Sequence, residues 1–379
     1  DNDYAQFEPF MTEVIAMCQE LAEYYGYDDE KYDALLDKYE FGMKTADVRA
    51  IFNANKAALV PLREAIVAQG TAVSDSIVHQ EFDIVSQKEF ARYIAAEIGY
   101  DFERGHLGTV VHPFATSFSR DDARITTRWY PDFLNPSLFG TLHESGHAMY
   151  EQGTHPDLAR TPLARGTSLG IHESQSRMME NLVGRNRGFW QAHLPKLQAL
   201  FPAQLGEATA EDFYRAINKV QPSYIRVEAD ELTYNFHIIL RFELEQAMLN
   251  GEISAKDLPE AWNAKMETLL GVVPPTDSQG CLQDVHWTRP GFGYFPTYAL
   301  GNLYAAQFME TAVAQNPAIK TEIETGSTES LLNWLHENIH QYGRKFTPSE
   351  LVQRVTGSPL SHDAFVRYAT AKFTDIYEL

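Results

Sequence analysis

Cysteine is scarce in this chain: Cys18 and Cys281 are the only two among 379 residues. That excludes a disulfide framework and fits a reducing cytoplasm. Long apolar runs are also missing, so no segment reaches the length of a membrane span, and residues 1–25 are too acidic for a signal peptide. Positive charge is in deficit, with 31 Lys and Arg against 52 Asp and Glu and a formal net charge of −21. Such a surface repels nucleic acid and anionic membranes, so neither is expected as a partner. Linkers, low-complexity tracts and internal repeats are lacking as well, and the sequence reads as one large helical domain over residues 1–379.

What the chain does contain is mostly helical periodicity. Phe7, Phe10, Met11, Val14, Cys18, Leu21 and Tyr25 follow a three-to-four spacing, as do Val48, Ile51, Phe52, Leu59, Leu62 and Ile66, with Pro61 as a kink. Ser86 and Glu89 form a capping box ahead of Phe90, Ile94 and Ile98; Thr347 starts another helix and Ser361 caps the last. Residues 107–130 are the exception. Thr109–Val111 and Phe114–Phe118, then Ala123–Trp129, read as two short β-branched strands, a hairpin around residues 119–122. An edge strand there would hold an extended peptide by backbone pairing. The fold class expected is therefore mainly α, with a deep groove and a small hairpin or sheet beside it.

Chemistry concentrates in His143-Glu144-Ser145-Gly146-His147. Residues four apart share a helix face, so the two imidazoles can hold one cation, and Glu144, about 100° round the helix, flanks it without ligating. That is the place for a carboxylate that takes a proton from water at the metal. Asn135 as N-cap, Pro136 in the first turn and a left-handed Gly153 bound the helix at about 136–152. Leu138, Leu142, Ser145 and Met149 fall on the side opposite the histidines, giving the helix a core stripe and a cleft stripe.

A catalytic zinc takes three protein ligands and keeps a position for water. Glu173, 26 residues beyond His147 on a helix running from Ser168 to about Val183, is the favoured third ligand. His172 competes but lies 100° away from it. Arg177 and Glu180 share the face of Glu173 and are expected to support the ligands or touch substrate.

Several segments in order resemble the M32 family of metallocarboxypeptidases, the carboxypeptidase Taq group. They are His112-Pro113-Phe114, residues 122–126 around Arg124, the His143–His147 motif, His172-Glu173-Ser174-Gln175, residues 225–230 around Arg226, and Gly280 through Trp287. The resemblance implies a helical enzyme with zinc, or cobalt, that removes single residues from the C termini of peptide substrates and forms a homodimer. It also implies further helices ahead of Asp1, because family members are longer at that end. Glu144 then serves as base and acid. His286 and Tyr294, on the glycine-rich aromatic loop 280–298, are the candidate oxyanion donors, with Asp284 placed to orient His286. Arg226, expected just before a helix Val227–Leu249, is the candidate clamp for the substrate α-carboxylate, with Tyr298 as its hydroxyl partner. His112 and Arg124 are further substrate contacts. His237, Asp230 and Glu231 are given core or supporting roles. Two other readings stand beside this one: a zinc endopeptidase or dipeptidyl-type peptidase of the same clan, and a non-catalytic helical interaction protein.

Overall fold

Apolar side chains recurring every three or four residues become helix after helix in the computed structural model, which describes residues 2–70 and 72–379. Among these residues there are sixteen α-helical segments and one three-stranded sheet. A single cluster of buried apolar residues runs from Tyr4 to Tyr377 and takes in Trp190, Trp262 and Trp287. Its spine is the helix Pro296–Gln315, which makes the most extensive helix–helix contact of the chain with the helix Leu169–Arg177. No helix among the described residues is long and apolar enough to cross a membrane.

The metal helix, Asn135–Gln152, buries Leu138, Leu142, Ser145 and Met149 and leaves His143 and His147 on its cleft side. Its ends differ from expectation. Leu134 rather than Asn135 is the N-cap, and Gly153 keeps a right-handed φ of −79°, so it stops the helix without a left-handed turn. Ser168 caps the return helix, Leu169–Arg177, by accepting the Ile171 N–H, and a wider π-turn at Met178–Val183 carries the chain on to Gly184.

Ser86 and Glu89 do not form a capping box. Asp83 caps that helix, Ile84–Glu97, by accepting the Ser86 N–H at 2.8 Å, because an ionised carboxylate is the stronger acceptor. Thr347 and Glu350 do form one, whereas the N-cap of the last helix, Asp363–Tyr377, is His362 rather than Ser361, whose hydroxyl accepts the Asp363 N–H from one residue further out. The helix Thr45–Ala68 runs through Pro61 unbroken. The expected helix from Val227 starts only at Tyr234: Asp230 accepts the backbone N–H groups of Gln221, Leu232 and Thr233, and these local bonds hold the chain in a loop.

The sheet consists of β1 (Leu107–Thr109), β2 (Ala115–Ser119) and β3 (Asp122–Thr127). β3 is central, antiparallel to β2 and parallel to β1, so the first expected strand divides into β1 and β2 and the hairpin becomes a three-stranded sheet. Ala123 and Ile125 of β3 are buried, and β3 and β2 both pack on the metal helix. β2 is left as an edge.

Two buried glutamates tie the layers together with neutral donors alone. Glu40 accepts from Ser168 Oγ (3.0 Å), Gly170 N (2.9 Å) and Tyr304 Oη (3.0 Å), at the start of the return helix. Glu245 accepts from Tyr32 Oη (2.6 Å), Trp287 Nε1 (2.8 Å) and Gly293 N (3.1 Å), hanging the loop 280–298 on the helix Tyr234–Leu249. Burial pushes both carboxyls up to about 7. A raised carboxyl adds stability in full below its unfolded pKa of 4.5, and that stability drains away as pH rises toward 7. Glu40→Gln should therefore flatten the fall of unfolding free energy between about pH 5 and pH 7 by about 1.4 kcal/mol per pH unit, the worth of one proton. Urea unfolding of both proteins across that window checks this; parallel curves would show that Glu40 stays ionised.

Candidate metal centre

Two helices bring the ligand set together, and two glycines let them approach. A Cβ on Gly146 would lie 2.4 Å from the Gln175 carbonyl oxygen, and one on Gly301 would lie 2.4 Å from Glu173 Cγ. Glu173 is thus wedged between the metal helix and the helix Pro296–Gln315. His143, His147 and Glu173 each offer one atom within 4.8 Å of the others. His147 Nε2 lies 3.3 Å and His143 Nε2 3.7 Å from Glu173 Oε2.

The hydrogen bonds behind these atoms fit a cation. His143 Nδ1 is 2.8 Å from Glu180 Oε2, which fixes a hydrogen on Nδ1 and turns Nε2 toward Glu173. Glu173 Oε1 accepts from Arg177 Nε at 2.7 Å, leaving Oε2 to face the histidines. Arg177 also reaches Glu180 at 3.0 Å and stacks 4.1 Å over the Tyr234 ring.

Electrostatics agree with that reading. Burial alone would strip His143 of its proton, yet Glu173 and Glu180 outweigh burial and lift it to about 9. His147, equally buried but facing His172, is pushed down to about 4. Burial likewise raises Glu173, but Arg177 and the two histidines overcome it and hold the carboxyl well below the usual range. A pocket that binds a proton so strongly between carboxylates is one that a divalent cation can claim. Burial pushes Glu144 up to about 7, and among the described residues only burial and nearby charges set that value, with no hydrogen bond holding its carboxylate.

The loop 280–298 forms the opposite wall. His286 Nε2 lies 3.3 Å from Tyr298 Oη, and its rings neighbours are Tyr294 and Phe295. Among the described residues its Nδ1 has no hydrogen-bond partner, and Asp284 at 3.7 Å is beyond reach. Asp284 instead holds arginines. Its Oδ1 accepts from Arg226 Nε (3.0 Å) and Nη2 (2.8 Å), and its Oδ2 accepts from Arg241 Nε (2.7 Å), all of them buried. Arg226 adds a bond to Tyr234 Oη at 3.1 Å and sits 5.0 Å from the Tyr298 ring centre. Three of its five N–H groups are used, and two remain. His112 is exposed, and partial crowding of its ring by the surrounding protein, with Arg226 and Arg128 nearby, lowers its pKa. Arg124 points to the outer face of β3 and pairs with Asp122 at 2.7 Å.

Residues given supporting roles separate here. Among the described residues His237 is buried with no hydrogen-bond partner on its ring, and Glu231 pairs with Lys372 at 2.6 Å. Tyr234, Arg241 and Glu151 went unnoticed in the sequence. Arg241 lies four residues after His237 within an apolar run, and only the partner Asp284, 43 residues away, marks it. Between β2 and the metal helix opens a cavity of about 200 Å³, lined by Ala115, Ser117, His147, Glu151, Arg165 and His172.

The pattern of carboxypeptidase Taq (M32) metallopeptidases matches residues 1–373. Thermostable carboxypeptidase 1 of Thermus thermophilus is 44% identical over 388 residues, an alignment covering 99% of this chain and 75% of that protein. Carboxypeptidase 1 of Bacillus subtilis is 41% identical over 378 residues, covering 100% of this chain and 75% of that protein. The crystal structure of an M32 carboxypeptidase from Deinococcus radiodurans superposes with a TM-score of 0.97 at 40% identity, covering 100% of this chain and 76% of that one.

Proposed function

The chain belongs to the carboxypeptidase Taq (M32) metallopeptidase family, and from that premise we propose that it releases single residues from peptide C termini, with zinc held by His143, His147 and Glu173 and with Glu144 as proton carrier. The convergence of two imidazole Nε2 atoms on Glu173 Oε2 carries this reading. A divalent cation there supplies a Lewis acid that polarises the peptide carbonyl and brings the pKa of water down to about 7.

The chain's own groups do the rest. Glu144, raised to about 7 and unencumbered by hydrogen bonds, is matched to accept a proton from water and deliver it to the departing amine nitrogen. Tyr294 and His286, on the facing loop, supply donors to the tetrahedral oxygen. The edge of β2 offers backbone groups to an extended peptide beside His147. Recognition of the free carboxylate falls to Arg226, with Tyr298 and His112 around it. Charge supports this: Arg226 and Arg241 share the single carboxylate of Asp284, so the buried knot carries an excess positive charge. Glu245, one helical turn beyond Arg241, is committed to Tyr32, Trp287 and Gly293. A substrate carboxylate supplies the missing anion. Both free thiols are buried and unbonded to each other, in keeping with a reducing cytoplasm, and a homodimer remains part of the reading.

A timed digest of a mixed peptide pool, read by mass, tests the proposal. One-residue C-terminal ladders that vanish with chelator are expected; internal fragments or dipeptide steps would overturn it. Arg226→Ala should lower kcat/KM for free-acid peptides by about 10- to 100-fold, the worth of a charge-assisted hydrogen bond, and leave C-terminal amides nearly unchanged. Equal cleavage of acids and amides by the unaltered protein would remove Arg226 from the role.

A further inference from the structure

The two imidazoles of the metal helix are supported unequally. His143 leans on a carboxylate, Glu180. His147 Nδ1 instead lies 2.6 Å from Nδ1 of another histidine, His172, whose Nε2 lies 2.8 Å from Glu151 Oε1. Glu151 Oε1 also accepts the Gly166 N–H at 3.1 Å, which anchors the carboxylate at the head of the chain of bonds.

Two ring nitrogens in contact need one donor and one acceptor. Glu151 accepts, so His172 donates from Nε2 and turns its Nδ1 to His147. A His147 that ligates through Nε2 carries its hydrogen on Nδ1, so it donates there to His172 Nδ1, with Nε2 toward Glu173 Oε2, 3.3 Å away. With Nε2 committed to Glu151 and Nδ1 to His147, His172 has no lone pair left for a cation. The residue that competes with Glu173 in the sequence is thereby excluded as a ligand by its own bonds. Tyr150 packs on the His172 ring at 5.2 Å between centres and limits its rotation.

We propose that His172, set by Glu151, is the positioning residue that accepts the Nδ1 hydrogen of His147 and fixes its ring angle, a relay where His143 has a direct carboxylate. This rests on the reading of His143, His147 and Glu173 as metal ligands. A partner one shell out from the metal orients the ligand and raises its basicity, and losing it weakens metal binding by about 10- to 100-fold.

Zinc affinity of the full chain, measured by competition with a chromophoric chelator, reads this directly. His172→Phe keeps the packing on Tyr150 but removes the acceptor, and should weaken zinc binding by about 10- to 100-fold. His172→Asn returns a carbonyl acceptor near the position of Nδ1 and should recover affinity to within about threefold of the unaltered protein. A purely structural role for His172 would move both variants in step with the unfolding midpoint of the metal-free protein, and that result overturns the relay. So does a His172→Phe protein that binds zinc normally while His143→Ala has lost it. Normal zinc binding by His143→Ala would instead remove the metal-site reading itself. Should His172→Phe not fold, Glu151→Gln decides: its amide can donate or accept, so it no longer dictates the tautomer, and about three- to tenfold weaker binding is expected. Unchanged affinity there sinks the relay.

Discussion

Glu144→Gln should retain a full complement of zinc and lose about 10²- to 10⁴-fold in kcat, the usual contribution of a positioned general base and acid. The amide is nearly isosteric with the carboxylate and leaves His143, His147 and Glu173 untouched, so the metal stays. What disappears is a group able to gain and release a proton near neutrality. Burial confers that ability here, by pushing Glu144 up to about 7 with no hydrogen bond to pull it back. Metal content and single-turnover rates on the same preparation check the two halves separately. Near-normal kcat with full metal would remove Glu144 from the reaction.

Asp284→Ala should be the most destabilising single change at the site. Asp284 is the only carboxylate bonded to Arg226 and Arg241 among the described residues, and all three side chains are buried. Breaking a buried ion pair by removing one partner costs about 3–5 kcal/mol, because the remaining charge stays out of water uncompensated. Here two like charges would be left facing each other, and burial already lowers Arg241 to about 10. Urea unfolding checks the magnitude. A loss below about 1 kcal/mol would mean that solvent enters the knot, and the excess positive charge argued for carboxylate recognition would fall with it. Losing the anchor between the loop 280–298 and the helix Tyr234–Leu249 should lower kcat/KM as well.

How much of this was legible in the sequence follows from the range of the forces involved. The metal helix could be read because residues four apart share a face whatever the rest of the chain does, and Leu138, Leu142 and Met149 declare which face is inward. Glu173 could be read because a capped helix starting at Ser168 presents it in order. Element ends were less legible. Asp83 took the Ser86 N–H that the sequence pattern had assigned to Glu89, Asp230 took N–H groups that it had assigned to a helix, and such local competition is settled by a few hydrogen bonds of similar strength. The third strand was missed because parallel pairing of β1 with β3 leaves no turn signal between them.

By itself, then, the sequence determined the helical class, the dyad with its base and the order of the family motifs, all of them local or serial properties. Tertiary structure alone decided that Glu173 reaches the dyad, through the close approach allowed at Gly146 and Gly301. It also decided that Arg226 shares Asp284 with Arg241, and that His172 turns from candidate ligand to the partner of His147 and Glu151. These depend on which side chains meet across 21 to 58 residues of chain. Burial then determines what each meeting is worth, because removing water strengthens a bonded charge and penalises an unbonded one.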